Sequence, residues 1–259
     1  MAMPFFTPGD DPGSSFPELL RRTGLVSEAV NVGDTVLPHG TTCVAMRFAD
    51  GVIMAGDRRA TSGNLISHRG MEKVVQADHF SGVAIAGAAG PAMEMIKLFQ
   101  LQLEHYEKVE GAALSLEGKA NQLSMMVRGN LAAAMQGMVV VPIFAGYDLR
   151  GRSGRLFTYD VTGGRYEEQD YVATGSGSLH AGTVIKVNFR EGMSTDEAIA
   201  LACKGLWEAA DADSATGAPD ALRGIYPIVA TITAEGWQRV SDDRLATVFE
   251  EIASEVRAR

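Results

Sequence analysis

Apolar and polar residues fall into a regular pattern from Thr41 onward. In TTCVAMRF, Val44, Met46 and Phe48 share one face, the spacing of a half-buried strand. Asp50-Gly51 is a hairpin signal, and VIMAG reads as the return strand. A second hairpin is predicted from KVVQ to GVAIAG, turning between Asp78 and Gly82. After Gly90 the period lengthens. Pro91 suits a first helical position, and Ala92, Met95, Ile96, Phe99, Leu103 and Tyr106 recur every three or four residues. A second helix is predicted from Ser115 to Gly137, with Leu123, Met126, Val127, Leu131 and Ala134 as its apolar positions and its methionines as core filler.

Strands return in VVVPIFAGY, RLFTYDV and YVATG. Another helix is expected from Ser178 to Phe189. The next starts at Ser194, where Glu197 completes a capping box, and carries Ile199, Cys203, Leu206 and Trp207. IYPIVATITA and WQRV read as a closing hairpin, and Asp243 to Arg257 as a last amphipathic helix. Segregated runs of strands and helices indicate the α+β class. Two stacked antiparallel sheets between helical layers, a four-layer αββα sandwich, would bury all these faces. No internal repeat is evident.

Residues 1–40 have a different texture. MAMPFFTPGDDPGSSFP is rich in Pro, Gly, Asp and Ser, a composition that buries too little surface to offset chain entropy. Only Phe16 to Leu25, around Leu19 and Leu20, suits a short helix. The segment ends in VLPHG, where Pro38 and Gly40 discourage regular structure. Composition alone suggests a loose tail that stays attached.

Composition narrows the function. With 46% hydrophobic and 21% charged residues in 259, a sizeable core is available. A net charge of -9 argues against a nucleic-acid partner. Cys43 and Cys203 do not form a close pair, which suggests two buried free thiols in a reducing cytosol rather than a zinc site or disulfide framework. No apolar run approaches a membrane span, and no secretory signal is seen. His39, His68, His79, His105 and His180 lack metal-ligand spacing, so no metal site is expected. There is no Walker loop or dinucleotide fingerprint, and Gly175-Ser176-Gly177 is not a nucleophile elbow.

The junction Gly40-Thr41-Thr42 is the remaining chemical candidate. A Thr hydroxyl is a weak nucleophile until a base takes its proton. An N-terminal Thr carries its own base, since its free amine lies a few bonds from Oγ. That amine has an ordinary pKa of about 7.7–8, close to working pH. Within a chain the same nitrogen is an amide, so such a nucleophile stays masked until a peptide bond is cut. Gly40, without a side chain, would let the Thr41 hydroxyl approach its carbonyl. Taken alone, the tripeptide is a weak signal and reads better as a loop entering a strand.

The run TTCVAMRFADGVIMAGDRRATSG, continued through MEKV, AIAGAAG, ATGSGS and DADSATG, closely resembles proteasome β-subunits. The likeness covers nearly all of residues 41–245, and the prosegment and long C-terminal helix look most like the actinobacterial branch. It implies residues 1–40 as a propeptide removed by self-cleavage between Gly40 and Thr41, and 41–259 as an N-terminal-nucleophile catalytic domain. Taken singly, Asp57 in GDRR reads as a turn residue and Lys73 as a strand edge. By resemblance, Thr41 is the nucleophile, Asp57 its buried acid and Lys73 the lysine beside the hydroxyl. Gly87 matches the glycine whose N–H faces the oxyanion. Ser176 matches the serine near the catalytic amine. Asp213 opens the family's Asp-x-x-Ser-Gly motif, where Thr216 stands in place of Ser and keeps the hydroxyl on a stiffer side chain.

The resemblance also implies an apolar specificity pocket lined by Ala60, Met71, Val75, Ile85, Ala89 and Met93, with Thr61 holding substrate backbone. Charged side chains are costly to bury there and apolar ones gain from it, which predicts chymotrypsin-like cleavage. The expected partners are α-subunits and other β-subunits in stacked heptameric rings. Expected beyond these are an ATPase ring and unfolded substrates carrying a ubiquitin-like tag. The expected location is the cytoplasm, with no metal or organic cofactor, nucleic acid or membrane. Two other readings are a non-catalytic ring subunit and an amidase of the same nucleophile class acting on small molecules. The retained Thr41, Asp57, Lys73 and Gly87 weigh against the first, and Lys73 with DADSATG against the second.

Overall fold

A computed structural model describes residues 40–258. The expected helix around Phe16 to Leu25 and the rest of 1–39 lie outside the described residues. The strands are β1 (Thr42–Phe48), β2 (Gly51–Gly56), β3 (Ala60–Ser62), β4 (Leu65–His68), β5 (Val74–Asp78), β6 (Ser81–Gly87), β7 (Val140–Asp148), β8 (Ser153–Tyr159), β9 (Arg165–Glu168), β10 (Tyr171–Gly175), β11 (Ile228–Thr233) and β12 (Gly236–Arg239). The helices are α1 (Ala89–Glu110), α2 (Leu116–Gly129), α3 (Leu131–Ala134), α4 (Ser178–Asn188), α5 (Thr195–Ala212) and α6 (Asp242–Arg257).

One antiparallel sheet runs β10-β1-β2-β11-β12 and the other β5-β6-β7-β8-β9, with β3-β4 a separate hairpin. Three apolar layers separate the four structural layers. Cys43, Ala45, Val52, Met54, Ala84, Ile143 and Leu156 fill the space between the sheets. Val44, Met46, Ile53, Ile185, Leu206 and Phe249 join the first sheet to α4, α5 and α6. Val83, Ile96, Phe99, Leu123, Phe144 and Phe157 join the second sheet to α1 and α2. There the Phe99 and Phe144 rings meet edge-on at 5.9 Å; each fully buried Phe contributes roughly 1.5–3 kcal/mol. This is the α+β sandwich expected from the periodicity.

Three local expectations change. β1 is buried on both faces, because its second face, with Cys43 and Ala45, meets the other sheet. α1 starts at Ala89, so Pro91 lies within the first turn rather than at its first position; that turn's N–H groups have no intrahelical partners, so a proline fits. The helix predicted over Ser115–Gly137 breaks at Asn130 into α2 and α3. Its methionines are not all filler. Met126 packs against the core, whereas Met125 and Met135 are exposed and Leu131 is at the surface, because α3 buries no residue. The Ser194 capping box forms as expected, and Ser241 caps α6. Cys43 and Cys203 are both buried and unpaired.

Candidate active site

The site forms where the first hairpin opens. β1 and β2 pair in a register that sets Cys43 opposite Gly56. One step beyond, Thr42 and Asp57 are neighbours: the Asp57 N–H donates to the Thr42 carbonyl at 3.1 Å, and the Thr42 N–H donates to Asp57 Oδ1 at 2.8 Å. The Asp50-Gly51 turn thus fixes which acid faces the start of β1.

Asp57 is completely buried and saturated with donors. Oδ1 also receives Lys73 Nζ at 2.7 Å, and Oδ2 receives the N–H groups of Arg59 at 2.9 Å and Gly217 at 2.8 Å. Such a set compensates an ion pair taken out of water. Lys73 enters from the other sheet, just before β5, and is held by its own carbonyl, which accepts the Ile85 N–H at 2.9 Å. Its side chain is 1% exposed. Nζ also donates to the Gly40 carbonyl at 3.2 Å, and Thr41 Oγ1 donates to the same oxygen at 2.8 Å. The lysine and the threonine hydroxyl therefore converge on one carbonyl. Gly40 has no space for a side chain, since a Cβ there would lie 1.9 Å from the Cβ of Ala215.

A second polar group lies on the other flank. The Thr41 N–H donates to Ser176 Oγ at 3.4 Å, and Ser176 Oγ donates to Asp213 Oδ2 at 2.5 Å. Thr216 Oγ1 donates to the same carboxylate oxygen at 2.6 Å, and the Ala215 N–H to Oδ1 at 3.1 Å. Burial pushes the Asp213 carboxyl up. The donors Ser176, Thr216 and Ala215, helped by His180, more than offset that and hold it below the usual carboxylate range. The hydroxyl of Thr216 thus makes its bond despite the stiffer side chain.

Gly87 closes β6 with φ of 118°, a conformation that favours glycine, and a Cβ there would meet the Val139 carbonyl. Val75 and Met93 are half-buried and pack against the cluster that contains buried Ile85. Ala60 and Thr61 lie on β3, Ala89 opens α1, and the Met71 N–H donates to the Arg58 carbonyl at 3.1 Å. Burial pushes the Cys43 thiol up to about 12, with Lys73 opposing, so the thiol two residues from Thr41 is not a rival nucleophile at neutral pH. Sequence reasoning assigns no part to Thr42, Arg59, Gly177 or Gly217. Arg59 and Gly217 act through backbone N–H groups on Asp57, and the Gly177 N–H donates to Thr42 Oγ1, contacts that no residue identity announces. Among the described residues no cluster of His, Cys, Asp and Glu is placed to hold a metal ion, and no helix is long and apolar enough to cross a membrane.

A Thr–Lys–Asp cluster at the mouth of two stacked sheets defines the class, and comparison with known proteins gives the family. Residues 37–221 match the family described as proteasome subunit, and the chain belongs to that family. It is similar to the protein named proteasome subunit beta of Acidimicrobium ferrooxidans, 55% identical over 263 aligned residues that cover 100% of this chain and 96% of the relative. It is also 53% identical, over 96% of its length and 89% of the relative's, to the proteasome subunit beta of Streptomyces griseus subsp. griseus.

Proposed function

We propose that this chain is a catalytic β-subunit of a 20S proteasome core, an N-terminal threonine peptidase that frees its own nucleophile by cutting between Gly40 and Thr41. The observation that carries the reading is the Gly40 carbonyl oxygen, which receives both Thr41 Oγ1 and Lys73 Nζ. The ammonium polarises the carbonyl, and the hydroxyl lies against it. Attack of Oγ on the Gly40 carbonyl carbon forms a C–O bond. The C–N bond then breaks and the proton given up by Oγ ends on the nitrogen, which leaves an ester and a free Thr41 amine. Water hydrolyses the ester, releasing 1–40 as the propeptide and leaving 41–259 as the catalytic domain.

In the processed chain the same chemistry turns outward. The Thr41 amine accepts the Oγ proton, Lys73 stabilises the ionising oxygen, and Asp57 holds Lys73. Oγ attacks the substrate carbonyl, the Gly87 N–H stabilises the oxyanion, and one such donor is typically worth ~2.7–4 kcal/mol. Ser176, Asp213 and Thr216 orient the amine. Ala60, Met71, Val75, Ile85, Ala89 and Met93 line the pocket before the scissile bond, with Thr61 on the substrate backbone. This lining favours Leu, Phe or Tyr over Arg, Lys or Asp.

Family membership supports assembly with other proteasome subunits. We place the chain in heptameric β-rings stacked against α-subunit rings. An ATPase ring in the cytoplasm feeds them unfolded chains that carry a ubiquitin-like tag. The test is intact mass of the chain co-assembled with its α partner, together with kinetic constants on a matched set of fluorogenic peptides. A mature chain starting at Thr41, and turnover lost in Thr41→Ala but partly kept in Thr41→Ser, are expected. A different N-terminus, or an active Thr41→Ala, overturns the mechanism.

A further inference from the structure

The hydrogen-bond chain beside Thr41 extends one residue further than the proposed machinery. Thr42 is 0% exposed, yet its side chain is polar. Its Oγ1 lies 2.6 Å from Thr216 Oγ1 and accepts the Gly177 N–H at 3.1 Å. Gly177 lacks a side chain where these groups meet: a Cβ would stand 2.3 Å from Thr42 Oγ1 and 2.8 Å from Thr216 Oγ1.

Counting hydrogens gives the network one direction. Ionised Asp213 only accepts. Thr216 has a single hydroxyl hydrogen and spends it on Asp213 Oδ2, so the hydrogen between Thr42 and Thr216 belongs to Thr42. Ser176 also has one. It goes to Asp213 Oδ2 at 2.5 Å rather than to the Thr41 carbonyl at 3.4 Å. The Ser176 lone pair is thereby left for the Thr41 nitrogen at 3.4 Å. Thr42 acts on Ser176 twice. It supports Thr216 on the shared carboxylate, and it holds the N–H of the Ser176–Gly177 peptide itself.

Resting on the nucleophile reading above, we infer that Thr42 is a positioning residue, whose hydroxyl fixes Ser176 as the hydrogen-bond acceptor of the Thr41 α-amine in the processed enzyme. The titratable and charged groups around that amine are Asp213 at the end of α5, Asp57 after β2, Lys73 before β5, His180 on α4, and Arg59, whose Nη1 holds the Ser214 carbonyl. None of them contacts Thr42 Oγ1, so a change confined to that hydroxyl leaves all these groups in place. An ammonium at Thr41 is stabilised by the Ser176 acceptor. Loss of that acceptor lowers the amine's affinity for a proton.

The test uses assembled, processed protein and a fluorogenic peptide with Leu before the reporter. Thr42→Val should lower kcat by about tenfold or more, less than the roughly 10²–10⁴-fold that a proton-transfer group itself supplies, because Thr42 acts only through Ser176, with KM within about twofold. The acid limb of its kcat/KM profile should move to lower pH. Thr42→Ser should return kcat to within a few-fold. Combining Thr42→Val with Thr216→Val should cost little more than the worse single change, as residues in one network do. Thr42→Ala is run in parallel, so that a failure of the branched Val to assemble still leaves a measured variant. Unchanged kcat and acid limb in Thr42→Val or Thr42→Ala, a Thr42→Ser as impaired as they are, or additive losses in the double variant would overturn the inference. Thr41→Ala separates the two levels. If it hydrolyses the peptide, the nucleophile reading falls. If it is inert while Thr42→Val turns over normally, only the role of Thr42 falls.

Discussion

Among the described residues, two lysine–aspartate pairs hold the lysine out of solvent, and only one belongs to the candidate site. Lys73 meets Asp57 at 2.7 Å, and Lys119 meets Asp78 at 2.5 Å. Both lysines are nearly inaccessible. Asp78 also accepts the Phe80 N–H at 3.0 Å and Ser81 Oγ at 2.6 Å, so this pair ties α2 to the β5–β6 turn. Its groups come from the β5–β6 hairpin and one helix. Asp57 instead gathers donors from the start of β1, the segment after β2, the approach to β5 and the loop after α5. Lys73 then has a further bond to a carbonyl that the Thr41 hydroxyl shares. The lesson is that a buried ion pair is not by itself a sign of catalysis. Its remaining hydrogen bonds, toward scaffold or toward a reactive atom, separate the two roles.

The largest expected effect comes from Lys73→Ala. It removes the ammonium from the Gly40 carbonyl and from Thr41. Turnover should fall at least 100-fold, within the range of roughly 10²–10³ for loss of one stabilising donor, while the ring still assembles. Normal turnover by a verified, fully processed Lys73→Ala protein would refute the distinction between the pairs.

Gly40→Ala comes next and concerns the carbonyl the lysine holds. With a Cβ 1.9 Å from that of Ala215, residue 40 must shift and the carbonyl must leave its two donors. Processing, followed by gel mobility after mixing with the α partner, should slow markedly. Processed enzyme, once formed, should turn over peptides normally because residue 40 is gone. Wild-type processing would show that the Gly40 contact with Ala215 does not position the carbonyl.

Met93→Glu probes the proposed pocket without touching either pair. Met93 is half-buried, whereas Ile85 is packed in the core, so a carboxylate is better tolerated at 93. Relative kcat/KM should shift from Leu toward Arg and Lys peptides by several-fold. An unchanged ranking would show that backbone pairing sets the preference.

Lys119→Met should have the smallest effect on turnover and a clear one on stability. Removing one partner of a buried pair costs roughly 3–5 kcal/mol; partial exposure of Asp78 places the expectation at the lower end. The urea midpoint should drop, and kcat of the assembled protein should stay within twofold. A large kcat loss at unchanged stability would blur the contrast with Lys73.

Much of the fold was legible because periodicity records which face of an element is buried. The strand and helix runs, the Ser194 capping box and the closing hairpin at Ile228–Arg239 needed only local rules. The failures lie where burial depends on a distant surface. β1 reads as half-buried because nothing local reports the second sheet, and the helix from Ser115 reads as continuous to Gly137 because an apolar side chain looks the same whether or not a partner covers it.

The candidate site divides in the same way. Thr41, Asp57 and Lys73 were legible through their resemblance to a family. The one link local sequence supplies is the Asp50-Gly51 turn, whose register faces Thr42 with Asp57. The sequence by itself determined the elements, the turn that opposes those residues, and the residue types able to act. Only the tertiary structure decided that Lys73 crosses from the second sheet to the Gly40 carbonyl, that Ala215 excludes a side chain at residue 40, and that the Thr42 hydroxyl meets the Thr216 hydroxyl held by Asp213. These bonds join segments far apart in the chain. Their existence depends on distances of a few ångströms set by how the two sheets and α5 pack, which no pattern along the chain encodes.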